Sequence, residues 1–258
     1  MPRRSRRKSR SGIYHVILRG ANRQEIFHHD KDRLRFLAKL KQFSGKEFQV
    51  MGWCLMNNHV HLMIKEGRES ISNLMKRVGV SYARYYNFTY ATNGHLFQDR
   101  FISEVVESEI AVLRVLRYIH MNPVKAGMVD HPEEYVWSSC RLYFGQASYP
   151  VNLLNTSTVF GLFSREKDTA KGKLIDYHRL QDEYDGMDAW PVSQKRMTDE
   201  EARIKVIEVI GKMEIPQVKS LPKVERDEVL RRGKALEGVT VRQLARILGV
   251  SVYLICKA

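Results

Sequence analysis

The run Asn58-His59-Val60-His61-Leu62-Met63-Ile64 constrains this chain more than any other stretch. A strand alternates its faces with period two, so His59 and His61 leave on one side while Val60, Leu62 and Ile64 leave on the other. Such a pattern asks for a sheet with a core behind it and two imidazoles in front. Neutral imidazole is a common metal ligand, and two of them leave coordination positions open for substrate. The same spacing also suits two polar residues on the wet face of an amphipathic strand, so on its own it decides nothing.

A second motif lies further along. Glu109 to Met121 places Ile110, Leu113, Leu116 and Ile119 at helical spacing with arginines between them, and Pro123 is expected to stop the helix. Tyr118 and Asn122 are four apart and share one face of its last turn. Around these two motifs, Ile13 to Arg19 reads as a strand, Asp30 to Phe43 as a helix, and Glu47 to Leu55 with His59 to Lys65 as a hairpin about Asn57-Asn58. Ser70 to Phe88 reads as a second helix and Phe101 to Val106 as a strand. The expected fold class is α+β: a split βαβ, ferredoxin-like palm whose antiparallel sheet has helices on one face and exposed histidines on the other.

The chain resembles the single-tyrosine HUH endonucleases that act as single-strand transposases, and among them the REP-associated tyrosine transposases. The resemblance is carried by Tyr14-His15-Val16, Arg19-Gly20-Ala21-Asn22-Arg23, Met56-Asn57-Asn58-His59-Val60-His61-Leu62 and Gly94-His95-Leu96-Phe97-Gln98-Asp99-Arg100-Phe101. It continues through Tyr118-Ile119-His120-Met121-Asn122-Pro123-Val124-Lys125-Ala126-Gly127 to Trp137-Ser138-Ser139, roughly residues 11 to 145. It implies the same palm fold, Tyr118 as nucleophile, and His59 and His61 as metal ligands. Asn122 stands where related transposases carry a glutamine that supplies the third ligand. Three neutral ligands leave the ion its full charge, and Mg²⁺ or Mn²⁺ is the implied metal. The resemblance also places DNA contacts near Arg19 and Asn22; Arg19 and Arg100 are the candidate DNA-binding residues.

Charge agrees with such a substrate. Lys and Arg number 43 against 29 Asp and Glu, a formal net charge of +14, the footprint of a phosphate-binding surface. Residues 1 to 10 hold Arg3, Arg4, Arg6, Arg7, Lys8 and Arg10 without an acid, and read as a disordered basic arm along DNA or as a solvated tail. No apolar core follows them as a secretory signal requires, so a cytoplasmic location is expected. Three widely spaced cysteines, Cys54, Cys140 and Cys256, indicate neither a disulfide framework nor a Cys-rich zinc site. No run is long and apolar enough for a membrane span.

The expected organisation is a basic arm over 1–12, a catalytic domain over 13–145 and a helical region over 146–258. In the last, Leu153 to Phe163 and Glu166 to Tyr184 look amphipathic, with a looser connection through Trp190-Pro191. Thr240 to Ser251 reads as the start of a helix-turn-helix within 240–258, with Gly249 at the turn and Ser251 capping the next helix; only seven residues follow Ser251, fewer than a recognition helix usually needs, and the alternative is a small helical bundle packed on the palm. Tyr82, Tyr85, Tyr86 and Tyr90 are rival nucleophiles whose helical spacing favours packing, and His15 and His120 read as hydrogen-bonded structural residues. Arg114 and Arg117 are further cations that either clamp phosphates or stay solvated.

The expected function is a metal-dependent endonuclease and strand transferase on single-stranded or hairpin DNA, working through a 5′-phosphotyrosine link. The alternatives are a replication or mobilisation initiator with the same chemistry, a DNA-binding regulator with a vestigial site, and a hydrolase without a covalent step. Hairpin recognition rests on the resemblance, and the oligomeric state stays open.

Overall fold

The computed structural model describes residues 6–45, 47–146, 150, 152–180 and 197–258. Alternation along strand β1 (Ile13–Arg19) sends Tyr14, Val16 and Leu18 to one face and His15, Ile17 and Arg19 to the other. Three more strands join it: β2 (Phe48–Leu55), β3 (His59–Glu66) and β4 (Ile102–Val105). Their order is β2-β3-β1-β4, every neighbour antiparallel, with a register shift between Val50 and Gly52. Ile17 and Cys54 flank His61 in this register, and Arg19 is paired with His59.

Helices α1 (Asp30–Phe43) and α2 (Ile71–Thr89) cover the Tyr14/Val16/Leu18 face, where Val60, Leu62, Ile64, Phe36, Leu40, Leu74 and Tyr82 form the larger core. The four-tyrosine group of α2 belongs here. Tyr82 donates to Ile26 O at 2.5 Å and Tyr90 to Asp32 Oδ2 at 2.5 Å, while the Tyr86 hydroxyl meets His28 Nε2 at 2.8 Å. These phenols point away from the histidine face, and burial raises the pKa of each.

The other face differs from the sequence expectation. Helix α3 (Glu109–Lys125) lies across it, and Val112, Val115, Leu116 and Ile119 form a second core with Met51, Cys54 and Met63. The histidines are therefore roofed: His61 is 0% exposed and His59 half-buried. The apolar stripe of α3 needed a partner, and the sheet supplies one. Gly52 permits the approach, since a Cβ there would sit 2.8 Å from Leu116 Cδ1. Pro123 does not stop the helix either; it lies inside the last turn, with Ala126 N bonded to Asn122 O beyond it. Proline costs one intrahelical donor, and the buried Pro123 ring recovers part of that loss by packing.

The basic arm also departs from expectation. Within the described residues it is docked at the β4 edge: Arg6 donates to Phe101 O at 2.8 Å and stacks on the Phe101 ring, and Arg10 N reaches Glu107. After the palm, α4 (Cys140–Tyr143), α5 (Ser157–Gly161) and α6 (Lys167–Arg179) complete the second core. Both helices are shorter than the amphipathic pattern suggests, and residues 181–184 and Trp190-Pro191 lie outside the described residues. Helices α7 (Asp199–Ile210), α8 (Lys223–Lys234), α9 (Val241–Leu248) and α10 (Val252–Lys257) enclose a third core around Val206, Leu230, Leu244 and Ile255. Gly249 is left-handed (φ +66°) between α9 and α10, and the Ser251 hydroxyl caps Leu254 N.

Candidate active site

Strand register puts His15, His59 and His61 on one face, and α3 brings Tyr118 down onto them. A carboxylate can only accept, so His15 Nδ1–H donates to Glu104 Oε2 (3.4 Å) and leaves Nε2 as an acceptor. His61 Nδ1–H then donates to His15 Nε2 at 3.0 Å. The relay leaves the His61 Nε2 lone pair buried without a hydrogen-bond partner. His59 reaches the same tautomer another way, its Nδ1–H donating to Asn58 Oδ1 at 2.6 Å. Burial, and next the neighbouring His59, His15 and Arg19 charges, hold the His61 pKa well below the usual imidazole value. A neutral imidazole with an orphaned nitrogen in a protein interior is what a metal ligand requires.

Tyr118 is 7% exposed, its ring edge-on to His61 at 5.5 Å and to His15 at 5.7 Å. Lys125 carries its ammonium 5.4 Å from the Tyr118 ring. Asn122 sits one turn on, and its Nδ2 donates to Tyr118 O at 2.8 Å, which turns the amide oxygen away from that bond. Tyr118 thus meets His61 and His15, His59 stands beside His61, and Asn122 lies one turn along the same helix as Tyr118. His59, His61 and Asn122 each offer a neutral donor, the two histidine rings 4.9 Å apart on β3 and the amide on α3.

Arg19 lies beside His59 through their strand pairing. Arg100 is exposed, on the segment whose Gln98 N bonds Arg19 O at 2.9 Å, and close enough to Arg6 for their charges to act on each other. Both arginines border the same end of the sheet as His59. Of the other cations, Arg117 is committed to Leu180 O, and Arg114 is exposed. Sequence alone gives His15 only a structural role and Glu104 none. The period-two alternation places His15 on a face with Ile17, but its partner His61 lies on another strand and only the register reveals the pair.

A separate gathering of ligand-type side chains is His120, Cys140 and His178, all buried. Here the hydrogen bonds close on themselves: His178 Nδ1–H donates to Leu174 O (2.9 Å), His120 Nδ1–H to His178 Nε2 (2.8 Å), and Ser139 Oγ–H to His120 Nε2 (2.8 Å). His120 is hydrogen-bonded, as expected, and its bond to His178 ties α6 to α3.

Residues 8–122 match the family model described as "Transposase IS200 like". No curated protein matches the chain. Among solved structures, a REP-associated tyrosine transposase bound to a REP hairpin is similar at 18% identity and a TM-score of 0.47, over 60% of this chain and 92% of that one. No helix of the described residues is long and apolar enough to cross a membrane. The similarity to the IS200-like transposases spans strands β1 to β4 and helix α3 as far as Asn122.

Proposed function

We propose that the chain cuts single-stranded DNA with Tyr118 and passes the held strand to a new 3′-hydroxyl. The observation that carries this is the placement of a phenol, edge-on to His61, on the helix that roofs the orphaned His61 nitrogen. Tyr118 Oη attacks phosphorus in line with the scissile bond. The Oη–P bond forms, the P–O3′ bond breaks, the phenolic proton leaves, and the departing 3′-oxygen takes up a proton. A phosphodiester is exchanged for a phosphodiester, so the reverse attack by another DNA 3′-hydroxyl needs no added energy source.

His59, His61 and Asn122 would hold Mg²⁺ or Mn²⁺, which when bound supplies Lewis acidity to the non-bridging phosphate oxygens. The Glu104–His15 relay holds His61 in the tautomer that presents Nε2. Lys125 places a positive charge beside the ring on which the leaving phenolate develops. Arg19 and Arg100 would receive backbone phosphates at the same end of the sheet. That the strand belongs to a DNA hairpin follows from the motif resemblance over residues 11 to 145.

The test is Tyr118→Phe, which removes one oxygen and keeps the ring. Cleavage should fall on the order of 10⁶-fold, with DNA binding retained and the covalent protein–DNA species lost from denaturing gels. Ordinary cleavage by this variant would overturn the assignment of the nucleophile.

A further inference from the structure

The cleavage chemistry makes no use of the α7–α10 unit, yet that unit is fastened to the segment that closes round the β2–β3 turn. Gly20 N donates to Asn58 O at 2.9 Å, and Ile26 N and Phe27 N both donate to Asn57 O, at 2.8 and 3.1 Å. Between these bonds Asn22 (φ +51°) and Arg23 (φ +61°) are consecutive left-handed residues, and neither is glycine. Side chains make that conformation costly, so such a turn persists only where its surroundings over-determine it. Asn58 is one of those surroundings. Its Nδ2 donates to Arg23 O at 3.3 Å, and its Oδ1 accepts from His59 Nδ1–H at 2.6 Å. A carbonyl oxygen can only accept, so Arg23 O decides which way the amide faces and thereby which ring nitrogen of His59 carries the proton.

The C-terminal helices supply the other constraint. Gln24 follows the left-handed pair directly and is buried. Its Nε2 donates to Leu96 O at 2.9 Å, and its Oε1 accepts from Lys219 Nζ at 3.1 Å. Gly249, at the α9–α10 corner, packs on the same side chain: a Cβ there would stand 2.5 Å from Gln24 Oε1 and 2.9 Å from Gln24 Cβ. Beside it, Arg203 of α7 pairs through Nε with the buried Glu25 Oε2 at 3.1 Å and donates through Nη2 to His28 O at 3.3 Å. A buried amide engaged at both ends and a buried carboxylate facing its cation leave residues 24–28 little room to move.

We infer that the C-terminal helices act on the catalytic centre through this turn: they lock Gln24, the turn locks Asn58, and Asn58 holds His59 in the tautomer that presents Nε2. Gln24 and Asn58 are then positioning residues for His59. With the turn released, the Asn58 amide can rotate, Nδ2 comes to face His59 Nδ1, and the ring loses the acceptor that selects its tautomer. The inference rests on His59 being a metal ligand of the proposed site, and it adds what governs that ligand from outside the palm.

The test needs neither DNA nor cleavage. The full chain, labelled with ¹⁵N at histidine and free of metal, is read by the nitrogen shifts of the His59 ring, and Mn²⁺ alone is then titrated in and followed by its paramagnetic resonance. The wild-type ring should show a single Nδ1–H tautomer. Asn58→Ala should mix the two tautomers and raise the Mn²⁺ dissociation constant about 10- to 100-fold. Gln24→Ala leaves Asn58 and His59 in place and should act in the same direction by less, and Lys219→Met, which removes only the bond from the C-terminal side, by less again. Combining Gln24→Ala with Asn58→Ala should do no more than Asn58→Ala alone, because the first acts through the second. A merely structural role would lower the thermal midpoint and leave the tautomer ratio where it was. An unchanged His59 ring in both Gln24→Ala and Lys219→Met would overturn the inference. If His59→Ala binds Mn²⁺ as tightly as the wild type, the metal reading of His59 fails, and a mixed tautomer in Gln24→Ala still upholds control of that ring by the C-terminal helices.

Discussion

His15 owes its position to register and its importance to a proton. Because it accepts from His61 Nδ1 while donating to Glu104, it decides which nitrogen His61 presents. Partners of this kind raise metal affinity by about 10- to 100-fold. His15→Gln should therefore shift the metal concentration needed for half-maximal nicking upward by about that factor, with activity recovering at saturating metal; an unshifted titration would show that the relay is idle. Asn122→Ala should cost less than His59→Ala or His61→Ala in the same titration, since a water can take the place of an amide oxygen. What the sequence carries about these residues is local: period two puts two histidines on a face, and a spacing of four stacks Tyr118 over Asn122. Burial of His61 was not legible, since nothing in residues 58–64 tells what covers the polar side of the strand.

At the scale of elements, the helix α3 does two jobs, as roof of the sheet and as carrier of the tyrosine. Sequence patterning yields the helix but not its place on the histidine face, because an apolar stripe shows that a helix is buried without showing against what. Gly52 is a point of close approach in that docking, with Leu116 where a Cβ would stand. Gly52→Val should cost about 1–3 kcal/mol in stability and slow cleavage more than DNA binding, as seen by denaturant unfolding alongside a nicking assay. A second dependence runs through α6. Burial lowers the His178 pKa from an ordinary 6.5 to about 4, so the folded state resists a proton that the unfolded chain accepts. The stabilisation is complete above about pH 6.5 and is lost as pH falls toward 4, up to about 3 kcal/mol. His178→Phe should flatten that part of the stability–pH curve; an equally steep fall in the variant would assign the acid sensitivity elsewhere.

For the whole molecule, the contacts that matter join residues far apart in sequence, such as Glu25 with Arg203 and Cys54 with the α3 roof, and periodicity cannot announce them. They bear on how the catalytic set is assembled. Only residues 106–108 separate β4 from α3, and Val106 N is bonded to Ile13 O at 3.0 Å, so the helix starts pinned to the sheet edge. Leu116 fills the space above Gly52, and His178 holds the helix from its far side through His120. These contacts hold the helix at its start, middle and end against its own sheet, and the proposed site then draws Tyr118, His59 and His61 from one chain. An equimolar mixture of Tyr118→Phe and His61→Ala proteins should then cleave no better than the two apart, and the wild-type rate per molecule should not depend on protein concentration under saturating DNA. Recovery of roughly a quarter of wild-type activity in the mixture would instead mean that two chains exchange α3, and the hydrogen bond from Val106 to Ile13 would have to open for the exchange to occur.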